Sequence, residues 1–138
     1  MDKNRRDVEI YIGMLLSATV YLERHIDAVN FLNVFPVPDG DTGTNMVLTL
    51  RSINEQLSAP EEQSSGYPIN PELIARSALL GARGNSGLIV AQFFKGLAES
   101  IARTNEIDGQ LLANTLQLST QYAYKSVQKP VEGTMLTV

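Results

Sequence analysis

Apolar positions along the chain repeat mostly at helical spacing. Val8, Tyr11, Ile12, Leu15, Leu22, Ile26 and Val29 fall close to one stripe, which predicts a long helix over residues 6–31, with or without a kink. A second helix is expected over 44–57, with Met46, Leu48, Leu50 and Ile53 inward. Residues 58–69 are polar, with two prolines and a Ser-Ser-Gly, and read as a mobile connection within one domain. Asn70-Pro71-Glu72 then starts a third helix, Asn at the cap and Pro at the first position, with Leu73, Ile74, Ala78 and Leu79 inward. A largely buried helix follows over 86–103, with Ile89, Phe93, Gly96, Leu97 and Ile101 on one side and Val90 and Phe94 widening it. Asp108 caps a further helix to about Gln128, with Leu112, Leu116, Ala123 and Val127 inward and Tyr122 and Tyr124 as packing residues. Val131 to Val138 opens another helix, and the sequence stops within its first turns, which implies a chain cut short.

Composition narrows the class. The 138 residues, 43% of them hydrophobic, suffice for one globular domain with a real core. The absence of cysteine excludes disulfides and thiolate metal sites and fits a cytoplasmic protein. A net charge of −4 argues against nucleic-acid binding, which needs a basic surface. No apolar run reaches the ~18 residues of a membrane span, and the first ten residues are too polar for a signal peptide. His25, the only histidine, sits near a helix end, where packing is its expected role.

The densest chemistry lies in Asn33-Val34-Phe35-Pro36-Val37-Pro38-Asp39-Gly40-Asp41-Thr42-Gly43-Thr44-Asn45-Met46. Pro36 and Pro38 fix their own φ and bias Phe35 and Val37 toward extended geometry, making a stiff arm. Gly40 and Gly43 allow a tight fold that turns main-chain amides toward one point, and Thr44 can cap the helix beyond. Two ionised aspartates this close repel by ~1 kcal/mol at ~4 Å in water, a cost that a bound cation removes. Oxygen ligands favour Mg²⁺, Mn²⁺ or Ca²⁺, and Mg²⁺ commonly shares one or two carboxylates with substrate phosphates. A solvated surface turn stays open on composition alone. An EF-hand loop fails, because its fifth and sixth positions would be Gly43 and Thr44. Asp41-Thr42-Gly43-Thr44 reads like an aspartic protease, but that chemistry needs two such aspartates in a β-rich setting. An Asp-x-Asp phosphatase loop would follow a buried strand, and residues 34–38 carry two prolines.

Gly81-Ala82-Arg83-Gly84-Asn85-Ser86-Gly87 is the second informative stretch. Glycines end one helix, and Asn85 or Ser86 caps the next. A glycine-rich start of a helix presents free amides and the positive end of a dipole, which together suit a phosphate, so Gly84, Asn85 and Ser86 are candidate nucleotide-binding residues. Helix-loop-helix turns use the same residues for structural reasons alone. Arg83 adds a guanidinium able to clamp phosphate oxygens.

These two stretches, with Lys129 through Thr137, resemble the nucleotide-binding domain of the dihydroxyacetone kinase L-subunit family, closest to the N-terminal domain of the bacterial fatty acid kinase A subunit. The resemblance covers nearly the whole chain, and the three motifs occur in family order. It implies an all-α fold, an antiparallel helical barrel whose closing helices would lie beyond residue 138, with ATP or ADP held at one end over two Mg²⁺ ions. By the resemblance Asp39 and Asp41 are metal ligands, and Asn33 stands nearest to the family's third, upstream aspartate. Thr42, Gly43, Thr44 and Asn45 match the phosphate segment, Ala82 and Arg83 a second nucleotide contact, and Met135 a residue against the adenine. Thr42 stands where dihydroxyacetone kinases carry histidine, and Arg83 where they carry serine; both departures point toward fatty acid kinase.

The expected activity is Mg²⁺-dependent phosphoryl transfer from ATP, with Asp39, Asp41 and Arg83 as the catalytic set, to a fatty acid presented by a separate carrier protein. A small-alcohol kinase and a non-catalytic nucleotide- or metal-sensing module are the rivals. A chain cut short would also expose an apolar face, for which a homodimer is expected.

Overall fold

The computed structural model describes residues 3–59, 70–102 and 108–137, with side chains from Ile10 onward apart from Tyr11 and Ile12. Among these residues the regular structure is entirely helical, as expected: α1 (Lys3–Glu23), α2 (Ile26–Leu32), α3 (Thr42–Leu57), α4 (Pro71–Gly81), α5 (Gly84–Ile101) and α6 (Gly109–Lys125), then a 3₁₀ turn at Met135–Thr137. The last replaces the longer helix expected there. The expected connection lies outside the described residues from 60 to 69.

The helix expected over 6–31 is two helices, and His25 gives the reason. In an unbroken helix its N–H would reach Tyr21 O; instead its ring Nδ1 lies 2.7 Å from that oxygen, and its N–H bonds Leu22 O at 2.9 Å. The ring packs on Tyr21 with centroids 4.4 Å apart, so the histidine shapes the junction between α1 and α2.

α3 is the central element, packing against α1, α2, α4 and α5, while α6 packs on α5. Leu15, Leu50, Ile53, Leu57, Ile74, Ala78, Ala91 and Phe94 form the core. Each large side chain fully buried this way contributes roughly 1.5–3 kcal/mol. Two of the predicted caps are present: Asn70 Oδ1 accepts from Glu72 N at 2.9 Å, and Asp108 Oδ1 accepts from Leu111 N at 2.7 Å.

Several helix faces are rotated from expectation because small residues, not large ones, make the closest crossings. On α6 the buried side is Thr115, Ser119 and Ala123, while Leu112 and Leu116 are exposed. Gly96 of α5 approaches so closely that a Cβ there would stand 2.6 Å from Ser119 Cα. One turn on, Ser100 and Thr115 share a buried 2.7 Å hydrogen bond. Leu48 and Leu79 likewise face outward, where Val47 and Ser77 are buried beside the expected Leu50 and Ala78. On α5 the buried residues are Ser86, Gly87, Ala91, Phe94, Gly96, Ala98 and Ser100; Ile89, Phe93 and Leu97 are half-buried.

Candidate functional site

The aspartate loop hangs between α2 and α3 and is fixed by two asparagines. Asn33 Oδ1 accepts from Asp41 N at 3.1 Å and Thr42 N at 3.3 Å, and its Nδ2 donates to Val37 O at 3.1 Å. Both lone pairs of that carbonyl are thereby engaged, so Asn33 braces the loop, and contact with a cation would require it to release a backbone donor. Asn30, on α2, accepts through Oδ1 from Gly43 N at 2.8 Å and Thr44 N at 3.2 Å. α3 therefore begins at Thr42, two residues before the expected start, and its cap comes from another helix instead of from Thr44. Gly43 makes this possible, since a Cβ there would stand 2.8 Å from Ile26 O and 3.0 Å from Asn30 Oδ1.

Asp39 and Asp41 are exposed, and among the described residues neither carboxylate has a hydrogen-bond or ion-pair partner. Gly40 between them has φ +65°, the left-handed backbone that lets the loop double back. The Phe35–Pro36 bond in the arm is cis. Among the described residues no three His, Cys, Asp or Glu converge as a ready-made metal cage. An exposed pair of carboxylates fits Mg²⁺, which keeps several waters and shares one or two carboxylates with substrate phosphates.

The second motif is brought to the first by its glycines. Gly81, Gly84 and Gly87 each rest on a polar residue of α3: an added Cβ would stand 1.8 Å from Ser52 Oγ, 2.6 Å from Asn45 Nδ2 and 2.6 Å from Thr49 Oγ1 respectively. Their first role is close packing of α4 and α5 onto α3. Gly84, at φ +60°, begins α5, preceded by an extended Arg83 that supplies no side-chain cap. Neither Asn85 nor Ser86 is the cap; both lie inside the first turn. Gly87 N bonds Arg83 O at 2.9 Å, whereas the amides of Gly84, Asn85 and Ser86 have no partner among the described residues. Among the described residues the two helix starts thus differ: the α3 amides are closed by Asn30 and Asn33, and the α5 amides are open. Arg83 is exposed, its guanidinium bonded at 3.2 Å to Ala82 O next to it in the chain.

Farther along α5 a cavity of about 560 Å³ opens toward α6. Ile89, Val90 and Phe93 form one wall, Leu116, Thr120 and Tyr124 the other, and Met135 and Leu136 of the 3₁₀ turn close it. Met135 therefore stands in an apolar cavity. Tyr122 packs elsewhere, its hydroxyl on Glu99 and its ring under Lys95 Nζ at 5.4 Å from the centroid.

Asn30 and the polar stripe of Ser52 and Thr49 are the site residues that sequence reasoning missed. An asparagine one turn before a rigid loop, on the side of the helix that carries Ile26 and Val29, was the available signal for the first. Glycines at a repeat of three facing a polar stripe signalled the second.

A family comparison matches residues 36–138 to the DAK2 domain. Among curated proteins, an uncharacterized protein of Staphylococcus haemolyticus is 45% identical over 130 residues, covering 94% of this chain and 23% of that protein. Uncharacterized proteins of Staphylococcus aureus strains USA300 and N315 are 42% identical over 130 residues, with the same coverage. The chain spans about a quarter (23%) of the length of the curated relatives it matches.

Proposed function

The chain belongs to the DAK2 domain family, that of the dihydroxyacetone kinase L subunit, and from this premise we propose that it binds Mg²⁺-ATP and transfers the γ-phosphoryl group to the carboxylate of a carrier-bound fatty acid. The observation that carries this reading is the contact of Asn45 with Gly84, which sets the two free carboxylates and the open start of α5 on adjoining elements. Asp39 and Asp41 would hold one or two divalent cations, which neutralise charge on the phosphates when bound.

The chain's own groups divide the remaining work. The amides of Gly84, Asn85 and Ser86, at the positive end of the α5 dipole, bind phosphate oxygens. Arg83, bonded among the described residues to one neighbouring carbonyl, meets the transferred group, where a guanidinium stabilises the spreading charge. The cavity at Met135 receives the base. A carboxylate oxygen of the acceptor attacks the γ-phosphorus, the bond from that phosphorus to the β,γ-bridging oxygen breaks, and ADP leaves. The acceptor is already ionised at neutral pH, so no general base is required. This accords with His25 being committed to the α1–α2 junction.

Incubating the protein at its natural length with Mg²⁺-ATP and, in parallel, a fatty-acid-loaded carrier or dihydroxyacetone, then trapping any acyl phosphate with hydroxylamine, tests the reading. ADP and acyl hydroxamate in equal amounts are expected. Phosphorylated dihydroxyacetone without hydroxamate would make it a small-alcohol kinase, and nucleotide binding without turnover of either acceptor would make it a non-catalytic module.

A further inference from the structure

Besides accepting from two α3 amides, Asn30 donates from Nδ2 to Thr44 Oγ1 at 3.0 Å. Backbone N–H groups can only donate, so the network itself fixes the amide: Oδ1 faces Gly43 and Thr44, and Nδ2 faces the hydroxyl. The Asn30 carbonyl accepts from Asn33 N at 3.1 Å, and Asn33 holds the amides of Asp41 and Thr42. One residue of α2 is thereby linked to every backbone donor from Asp41 to Thr44.

We infer that Asn30 is a positioning residue for phosphoryl transfer, which keeps a lone pair of Thr44 Oγ1 occupied from the α2 side and so turns the Thr44 proton toward the open side of the aspartate loop. The inference rests on the kinase reading. A hydroxyl has one proton and two lone pairs, and with Nδ2 donating to it the O–H bond points elsewhere. Thr44 is exposed, and among the described residues no acceptor takes its proton. A fixed donor beside two carboxylate ligands suits an oxygen that gains negative charge during transfer. A plain helix cap would need only the two acceptor bonds; the donor bond to Thr44 exceeds that requirement.

Asn30→Asp separates the two roles. It preserves both acceptor bonds and places a negative charge at a helix start, where the dipole favours it, so the melting temperature should hold or rise. It cannot donate, so the Thr44 proton turns inward onto the new carboxylate. In the protein at its natural length kcat should fall by about tenfold to a hundredfold, with KM for ATP changed by less than about threefold. Thr44→Val should fall similarly, and the double variant should be no slower than Thr44→Val alone, because both changes remove one interaction. Wild-type kcat in Asn30→Asp, or a further drop in the double variant, overturns the inference. Wild-type protein that turns over no acceptor with Mg²⁺-ATP overturns the kinase reading and the inference with it.

Discussion

Gly84 lies so close to Asn45 that a side chain on it would stand 2.6 Å from Asn45 Nδ2, and its φ of +60° is itself closed to most residues. Both features act on one point, the junction of the two motifs. Gly84→Ala should therefore lose about 1–2 kcal/mol from the left-handed backbone alone, and should weaken Mg²⁺-ATP binding by displacing the open start of α5. Adding Asn45→Ala relieves the contact but not the φ, so the double variant should regain little stability. Urea unfolding with calorimetry checks both; a Gly84→Ala protein with wild-type stability would remove the backbone argument.

Asp39→Asn and Asp41→Asn should each abolish Mg²⁺-dependent nucleotide binding while leaving helicity intact. Both side chains are exposed and without partners among the described residues, so stability should stay within about 0.5 kcal/mol of wild type. In the absence of Mg²⁺ it should shift upward if at all, since like charge is removed. Nucleotide affinity in Mg²⁺ that did not change would falsify the metal assignment.

How legible this was depends on what each element needed. Helix caps at Asn70 and Asp108 are local, one side chain meeting an amide two or three residues on, and both were readable. The α1–α2 break was not, because it depends on His25 taking the Tyr21 carbonyl with its ring instead of its backbone. The α6 face was misread for a tertiary reason: large apolar residues mark a core face only where helices stand far enough apart to hold them. At Gly96 and Ser119 they do not, and Leu112 and Leu116 are turned out. For the site, the aspartates and the glycine-rich turn could be named from spacing. That one set of helix-start amides is closed and the other open could not, because Asn30 closes the first from a different helix.

Two glycine substitutions should move stability in opposite directions. Gly96→Ala places a methyl 2.6 Å from Ser119 Cα, 2.9 Å from Ser119 N and 3.0 Å from Leu118 O, all backbone that cannot rotate away. Forcing α5 and α6 apart should cost about 1–3 kcal/mol, more than the better helix propensity of alanine returns. Gly13, within α1, would meet nothing within 4 Å, so Gly13→Ala should gain roughly 0.5–1 kcal/mol. Paired denaturation curves decide; equal shifts in both variants would mean that the α5–α6 approach is looser than 2.6 Å implies.

The cavity at Met135 starts on α5 at Ile89, about one and a half turns, or ~8 Å, beyond the open amides at Gly84. If phosphates occupy those amides, that separation puts the base of the same nucleotide against Ile89, Phe93 and Met135, in apolar surroundings suited to a ring face. Thr120 lines the cavity from α6 yet is exposed, so a larger side chain there fills the opening without entering the core. Thr120→Trp should lower Mg²⁺-ATP affinity at least about tenfold, which corresponds to ~1.4 kcal/mol, while inorganic triphosphate, which has no base, should bind as it does to wild type. The melting temperature should change little, because exposed positions away from caps and crossings tolerate substitution within about 0.5 kcal/mol. Equal losses for ATP and triphosphate would place the effect on the phosphate site instead, and unchanged ATP affinity would mean that the base does not use this cavity.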